Sequence, residues 1–350
     1  MCGIVGILSF NEKGKEFQQY VKPATDSLTK RGPDAEGMYI HNHLGFGHRR
    51  LSIIDTSEAA NQPMFDATGR YVIIFNGEIF NYRELRKDLL AKGVEFRNNS
   101  DTEVLLNLYI LYGKNCLNKL NGFFSFAIYD KTEHSLFLAN DRMGIKPLLY
   151  YKDEDKFIFA SEMKAILKFN IKRQLDYVSL FQYIQLTYVP LPHTILENVM
   201  RLDPGHFIFI KDQRITYEKY YDIPIFTNET YNRDPYEFQQ EKLLLLLEDS
   251  VQRRLIADVP IGVFLSGGVD SSIITALAAK HTQHLKTFSI GYNDAKFFDE
   301  TNYANMVAKQ YRTAHTVFRL SKDYIISTMF EIFENIDEPF ADPSSIAVYI

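Results

Sequence analysis

Cysteine is nearly absent from this chain: only Cys2 and Cys116 occur among its 350 residues. Two thiols so far apart exclude a disulfide framework or a cysteine-built metal cluster, and a reducing, cytoplasmic setting fits best. Positive charge is not in surplus either. With a net charge of −5 and both signs mixed along the sequence, there is no electrostatic footprint for nucleic acid or an anionic membrane. Small molecules are the expected partners. No uninterrupted apolar run is long enough to span a bilayer. The apolar opening from Cys2 to Phe10 has no basic region before it and is broken by Gly3 and Gly6, so it does not read as a signal peptide. Internal repeats and low-complexity tracts are missing.

What is present is enough chain for two domains, with 46% hydrophobic residues to build their cores. Up to about residue 205, short strands separated by Gly or Asn turns dominate: Ile4 to Leu8, Tyr71 to Phe75, Phe123 to Tyr129, Ser135 to Ala139 and Phe157 to Ala160. Helical spacing appears over Tyr82 to Ala91 and Thr102 to Tyr112, the second opened by Ser100 and Asp101 as caps. This half predicts an α+β arrangement. Asp222 to Pro235 has two prolines and little periodicity, which marks a linker. Beyond it the pattern alternates: helix Tyr236 to Leu255, strand Ile261 to Leu265, helix Ser271 to Lys280, strand Thr287 to Ile290, helix Glu300 to Tyr311, strand Thr313 to Phe318. Such alternation predicts an α/β domain with a parallel sheet. The five leucines Leu243 to Leu247 suggest a helix buried on several sides. The expected division is a first domain over 1–205, a connecting segment over 206–235 and a second domain over 236–350.

Cys2 is the first chemical signal. Removal of Met1, favoured by the small second residue, would leave a thiol and a free α-amine on one residue. An α-amine titrates near 7.7–8.0 (roughly) and can take the thiol proton near neutral pH, so no histidine need serve as base. Further along stand Cys2-Gly3-Ile4-Val5-Gly6, Arg31-Gly32-Pro33-Asp34, Arg50-Leu51-Ser52-Ile53-Ile54-Asp55, Asn76-Gly77-Glu78-Ile79 and Ser100-Asp101-Thr102-Glu103. In order and spacing this series resembles the class II, N-terminal-nucleophile glutamine amidotransferases, whose fold stacks antiparallel sheets between helices. The resemblance implies that Cys2 attacks glutamine and that Asn76 and the Gly77 N–H receive the oxyanion, each such donor being worth about 3–4 kcal/mol. It also implies that Arg50 pairs with the α-carboxylate, that Glu78 and Asp101 accept from the α-ammonium, and that Leu51, Ser52, Ile53 and Ile54 line the same pocket.

The second signal is Ile261-Gly-Val-Phe-Leu-Ser-Gly-Gly-Val-Asp-Ser-Ser272, an apolar strand running into a Gly-rich turn and a helix. Successive N–H groups and a helix N-terminus at such a turn seat phosphate oxygens. The Gly-Lys-Ser or Gly-Lys-Thr ending of a Walker loop is missing. The stretch resembles instead the pyrophosphate loop of N-type ATP pyrophosphatases. That likeness implies an ATP site of Leu265, Ser266, Gly267, Gly268, Asp270, Ser271, Ser272 and Ile290, with Asp270 helping to hold Mg²⁺.

Asp141 to Leu148, Ser161 to Ala165 and Leu202 to His206 extend the likeness to asparagine synthetases over nearly the whole chain. The implied reaction joins glutamine, aspartate and ATP to give asparagine, glutamate, AMP and pyrophosphate through a β-aspartyl-adenylate. A homodimer is the family's habit. Amidation of another carboxylate, in a polysaccharide or peptide pathway, is the rival reading; glutaminase activity alone is another. In the family a further strand, an acidic Gly-rich loop and several helices follow the region that here stops at Ile350, so the resemblance implies a synthetase domain cut short.

Overall fold

The computed structural model describes residues 1–225, 227, 232–294, 297, 299–342 and 344–349. Phe226 and residues 228–231 of the expected linker, and Pro343 and Ile350 of the second domain, lie outside the described residues. The chain divides into two compact units, Met1–Ile223 with Asp337–Ala341, and Pro224–Ile336 with Asp342–Ile350.

The first unit is built on β1 (Gly3–Ser9), β2 (Ala35–His41), β3 (Leu44–Arg50), β4 (Met64–Phe65), β5 (Tyr71–Ile79), β6 (Gly122–Asp130), β7 (Ser135–Asn140), β8 (Leu149–Lys152), β9 (Lys156–Ala160), β10 (Val199–Arg201), β11 (His206–Lys211) and β12 (Arg214–Lys219). These strands form two six-stranded sheets, ordered β10-β8-β9-β1-β3-β2 and β12-β11-β7-β6-β5-β4. Neighbours run antiparallel, as in Ile4 against His48 and Phe75 against Phe126. One core fills the space between the sheets, with Ile4, Leu8, Phe46 and Phe159 meeting Val72, Ile74, Leu138 and Ile208. Intervening residues of β1, Val5 and Ile7, face the other way onto Val21, Ala24, Met163 and Ile166. Those belong to the short helices α2 (Val21–Asp26) and α5 (Met163–Ile166); α1 (Glu12–Lys15) follows β1 directly in the chain. β1 is thus buried on both faces, which is why it reads as a continuous apolar run.

Helices α3 (Tyr82–Leu90) and α4 (Asp101–Tyr112) lie on the second sheet's side, α4 against β5. Ser100 caps α4 by accepting from the Glu103 N–H at 3.2 Å. α6 (Tyr177–Leu186) completes the unit's helices. Stacked antiparallel sheets between helices agree with the fold expected of this half. Residues 206–219, placed at sequence level in the connecting segment, carry β11 and β12. Their turn sits at Asp212 and Gln213, both at positive φ without glycine, so the usual hairpin signal is missing.

The second unit contains α7 (Tyr236–Arg254), β13 (Gly262–Phe264), α8 (Val269–His281), β14 (Lys286–Tyr292), α9 (Thr301–Gln310), β15 (Ala314–Leu320), α10 (Lys322–Asn335) and α11 (Ser344–Tyr349). Its three strands pair in parallel in the order β13-β14-β15, as the alternation predicts. The leucines do not follow expectation: Leu243 to Leu246 are between 48% and 62% exposed. Leu245, for one, has no described element over it that takes it out of solvent.

Candidate active site

Antiparallel register brings the ends of three strands together. Cys2 precedes β1, Arg50 closes β3, which pairs with β1, and Asn76, Gly77 and Glu78 lie near the end of β5 in the other sheet. Asp101 opens α4, which packs on β5. One pocket of about 510 Å³, counting the solvent at its mouth, is lined by Cys2, Arg50, Leu51, Ile53, Ile54, Asn76, Gly77, Glu78 and Asp101. Ser52 stands apart from that lining; its N–H donates to Asp34 at 2.8 Å.

The Cys2 thiol donates toward the Leu51 carbonyl at 3.7 Å and receives the Leu51 N–H at 3.4 Å. Burial pushes the thiol up from its ordinary value, opposed by that N–H. Arg31 fixes the Cys2 carbonyl through Nε at 2.8 Å while its Nη1 donates to Glu162 at 2.9 Å. Met1 also lines the pocket, and burial lowers the amine that precedes Cys2.

Asn76 is wholly buried, and neither its amide nitrogen nor its amide oxygen has a partner. A primary amide left unsatisfied in a protein interior is costly, about 1–3 kcal/mol, and this one borders the cavity that holds the thiol. Gly77 is also required by the packing of its own strand. A Cβ there would lie 2.2 Å from the Phe123 carbonyl oxygen and 2.7 Å from the Phe124 Cα, so it is the backbone of β6 that excludes a side chain.

Arg50 is buried, and its Nη1 donates to the Ser57 carbonyl at 2.7 Å and to Asn61 Oδ1 at 2.8 Å. Its Nη2 donates to the Asp55 carbonyl. Asp101 accepts from the Ile79 N–H at 3.0 Å, and burial pushes its carboxyl up to about 7. Burial raises Glu78 as well, with Lys146 working against it.

Further groups shape this pocket and its surroundings. Gln62 accepts from the Phe75 N–H at 2.6 Å and donates to Thr102 at 3.2 Å, tying β5 to α4 beside Asn76. Glu103 accepts from the N–H groups of Arg97 and Asn98 at between 2.9 and 3.1 Å and so shapes the loop before α4. Lys146 stands in the Asp141 to Leu148 stretch that the sequence singles out, but only the fold shows that it faces the pocket.

In the second unit, β13 leads into the turn at Ser266 to Gly268 and then α8. Gly267 adopts φ +90°, a conformation that favours glycine. Ser266 and Ser271 hydroxyls lie 3.0 Å apart, and Ser272 donates to the Gly268 carbonyl at 2.7 Å. Asp270 is exposed in the first turn of α8. An apolar cavity of about 2040 Å³, open to solvent, is lined by Leu265, Ser266 and Ile290 together with Phe264, Phe288 and Tyr292. Leu265 and Ile290 thus meet at one cavity. Among the described residues there is no group of three His, Cys, Asp or Glu side chains arranged to hold a metal. One exposed carboxylate together with nucleotide phosphates does suit Mg²⁺.

Comparison with known proteins bears on both units. A family profile described as glutamine amidotransferase domain matches residues 1–221, and one described as asparagine synthase matches 242–350. Asparagine synthetase [glutamine-hydrolyzing] 1 of Bacillus subtilis is 37% identical over 100% of this chain and 55% of its own length. Asparagine synthetase [glutamine-hydrolyzing] 3 of the same organism is 37% identical over 87% of this chain and 50% of its own length. A Methanocaldococcus jannaschii protein provisionally named asparagine synthetase [glutamine-hydrolyzing] 2 is 35% identical over 100% of this chain and 70% of its own length. The chain spans about half the length of the Bacillus relatives. A solved allosteric regulatory enzyme of purine biosynthesis aligns over 91% of the chain at 15% identity with a TM-score of 0.49, too distant a likeness to build on.

Proposed function

The chain belongs to the glutamine-hydrolysing asparagine synthetases, and on that premise we propose that its first unit releases ammonia from glutamine and its second activates a carboxylate with ATP. No helix among the described residues is long and apolar enough to cross a membrane.

Removal of Met1 frees the Cys2 amine beside its own thiol. The amine takes the thiol proton, and the thiolate attacks the carboxamide carbon of glutamine. Charge passes to the carboxamide oxygen, which Asn76 Nδ2 and the Gly77 N–H receive. The protonated amine returns its proton to the departing nitrogen, ammonia leaves, and water hydrolyses the thioester to glutamate. Arg50 holds the α-carboxylate; Glu78 and Asp101 hold the α-ammonium. Leu51, Ile53 and Ile54 supply the wall beside Arg50 and Cys2.

In the second unit, Ser266, Gly267, Gly268, Ser271 and Ser272 hold the phosphates of ATP, and Leu265 and Ile290 flank the adenine. Asp270 would hold Mg²⁺, which neutralises phosphate charge when bound. Aspartate is the acceptor proposed, through a β-aspartyl-adenylate that ammonia converts to asparagine.

The observation that carries the glutaminase reading is the buried, unpartnered amide of Asn76 at the cavity of the Cys2 thiol. An oxyanion exists only after attack, so Asn76→Ala should lower kcat for glutamine hydrolysis by about 10²–10³ with KM little changed. A raised KM at unchanged kcat would remove the oxyanion role.

A further inference from the structure

Lys146 enters the glutamine pocket from a turn with no freedom to move it. The Asp141 carboxylate, 1% exposed, accepts from the N–H groups of Phe124, Met143, Ile145 and Lys146 at 3.0–3.1 Å. Gly144 sits at φ +67° inside that ring. The turn is therefore pinned to β6 from within, and the Lys146 side chain joins Cys2, Glu78 and Asp101 in lining the cavity.

The charges around this end of the pocket can be counted. Glu78 and Asp101 are carboxylates. Around them are the N-terminal amine, Lys146, Arg31 beside Cys2, and Arg50, whose guanidinium is held by the Ser57 carbonyl and Asn61, while Asp141 is occupied by its four N–H donors. Attraction between Glu78 and Lys146 is the strongest named charge interaction for each of them. Without substrate, Lys146 offsets one of two neighbouring carboxylates. Arg31 is paired with Glu162, the amine is neutral when it acts as base and Arg50 is kept for the α-carboxylate, so the ammonium of an entering glutamine supplies the second cation and two negative charges meet two positive ones.

We infer that Lys146 is a positioning residue for glutamine: its ammonium balances Glu78, so that Glu78 and Asp101 together present two ionised carboxylates to the α-ammonium of the substrate. The inference rests on the glutaminase reading of this pocket. Without Lys146, two carboxylates share one ammonium, and one of them holds a proton at neutral pH. Binding then requires that proton to leave, so it weakens at neutral pH and recovers as pH rises. The loss falls chiefly on KM and less on kcat, because Lys146 neighbours the amine and the thiol without exchanging a proton with the substrate.

The test is the pH profile of glutamine hydrolysis by the wild type and by Lys146→Met, Lys146→Gln and Lys146→Arg. Both neutral variants should raise KM severalfold near neutral pH, because a required carboxylate then carries a proton in most molecules. The gap should close in alkaline solution, and Lys146→Arg should restore the wild-type profile. A KM raised by the same factor at every pH, a loss confined to kcat, or profiles that superimpose on the wild type would each overturn the inference while leaving Cys2-dependent turnover intact. A wild type without Cys2-dependent turnover would overturn the glutaminase reading itself, and this inference with it.

Discussion

Asn61 holds Arg50: the guanidinium Nη1 donates to Asn61 Oδ1 at 2.8 Å, and the same nitrogen reaches the Ser57 carbonyl at 2.7 Å. The loop from Leu51 to Asn61 is thereby folded around the side chain proposed to grip the α-carboxylate. Asn61→Ala removes one of several acceptors of a charged donor, a loss on the order of 1 kcal/mol. KM for glutamine should rise roughly fivefold with kcat nearly unchanged. Steady-state kinetics checks this, and an unchanged KM would mean that the loop carbonyls alone orient Arg50.

The Asp101 carboxyl makes stability depend on pH. Its folded value of about 7 lies above its ordinary 3.8 because burial disfavours the charge. The folded state therefore holds its proton more tightly than the unfolded state does. The stability this confers is complete below about 3.8 and is lost as pH rises through about 7. Asp101→Asn keeps an acceptor for the Ile79 N–H without the charge. It should melt higher than the wild type by a few degrees at about pH 8 and equally at about pH 4, while glutamine binding weakens. Thermal unfolding at the two pH values measures this; equal melting at both would place Asp101 in a better-solvated setting than its 5% exposure suggests.

Neighbouring glycines of the second unit's turn should respond in opposite ways. A Cβ on Gly267, at φ +90°, would lie 2.6 Å from both the Ala304 nitrogen and the Tyr303 Cβ, whereas one on Gly268 meets only the Ser266 hydroxyl at 3.4 Å. Gly268 sits at φ −68°, open to any residue. Gly267→Ala should cost about 1–3 kcal/mol in denaturant unfolding, and Gly268→Ala should cost nothing or gain about 0.5 kcal/mol. Equal effects would mean that the turn is not held in this conformation.

Much of this was legible in the sequence because short-range patterns carry it. Helix α3 begins at Tyr82 as the spacing predicts, α4 begins at Asp101, one residue before the expected Thr102, with Ser100 as its cap, and the alternation after residue 236 yields the parallel sheet. Strands β2 and β3 were not expected. β3 is interrupted by Gly45 and Gly47 and ends on His48, Arg49 and Arg50, so its apolar pattern is weak, and its burial comes from lying between β1 and β2. The glutamine pocket shows the same division. Cys2, Arg50, Asn76, Gly77, Glu78 and Asp101 lie in short recognisable stretches, and the fold brings them together. Asn61 and Gln62 matter only through contacts that no local pattern encodes, and Lys146 lies in a recognisable stretch whose place at the pocket only the fold shows. The exposed leucines of α7 mark the reverse error, since an apolar helix face predicts burial only where something lies over it.

The most direct test is the rate of glutamate release from glutamine, measured on samples whose N-terminus has been fixed by intact mass. If the Cys2 amine is the base, the rate should scale with the fraction of chains lacking Met1, and protein that retains Met1 should be inactive. Full turnover by protein that retains Met1 would contradict the account at its centre, because the α-amine then present belongs to Met1 and Cys2 has none free.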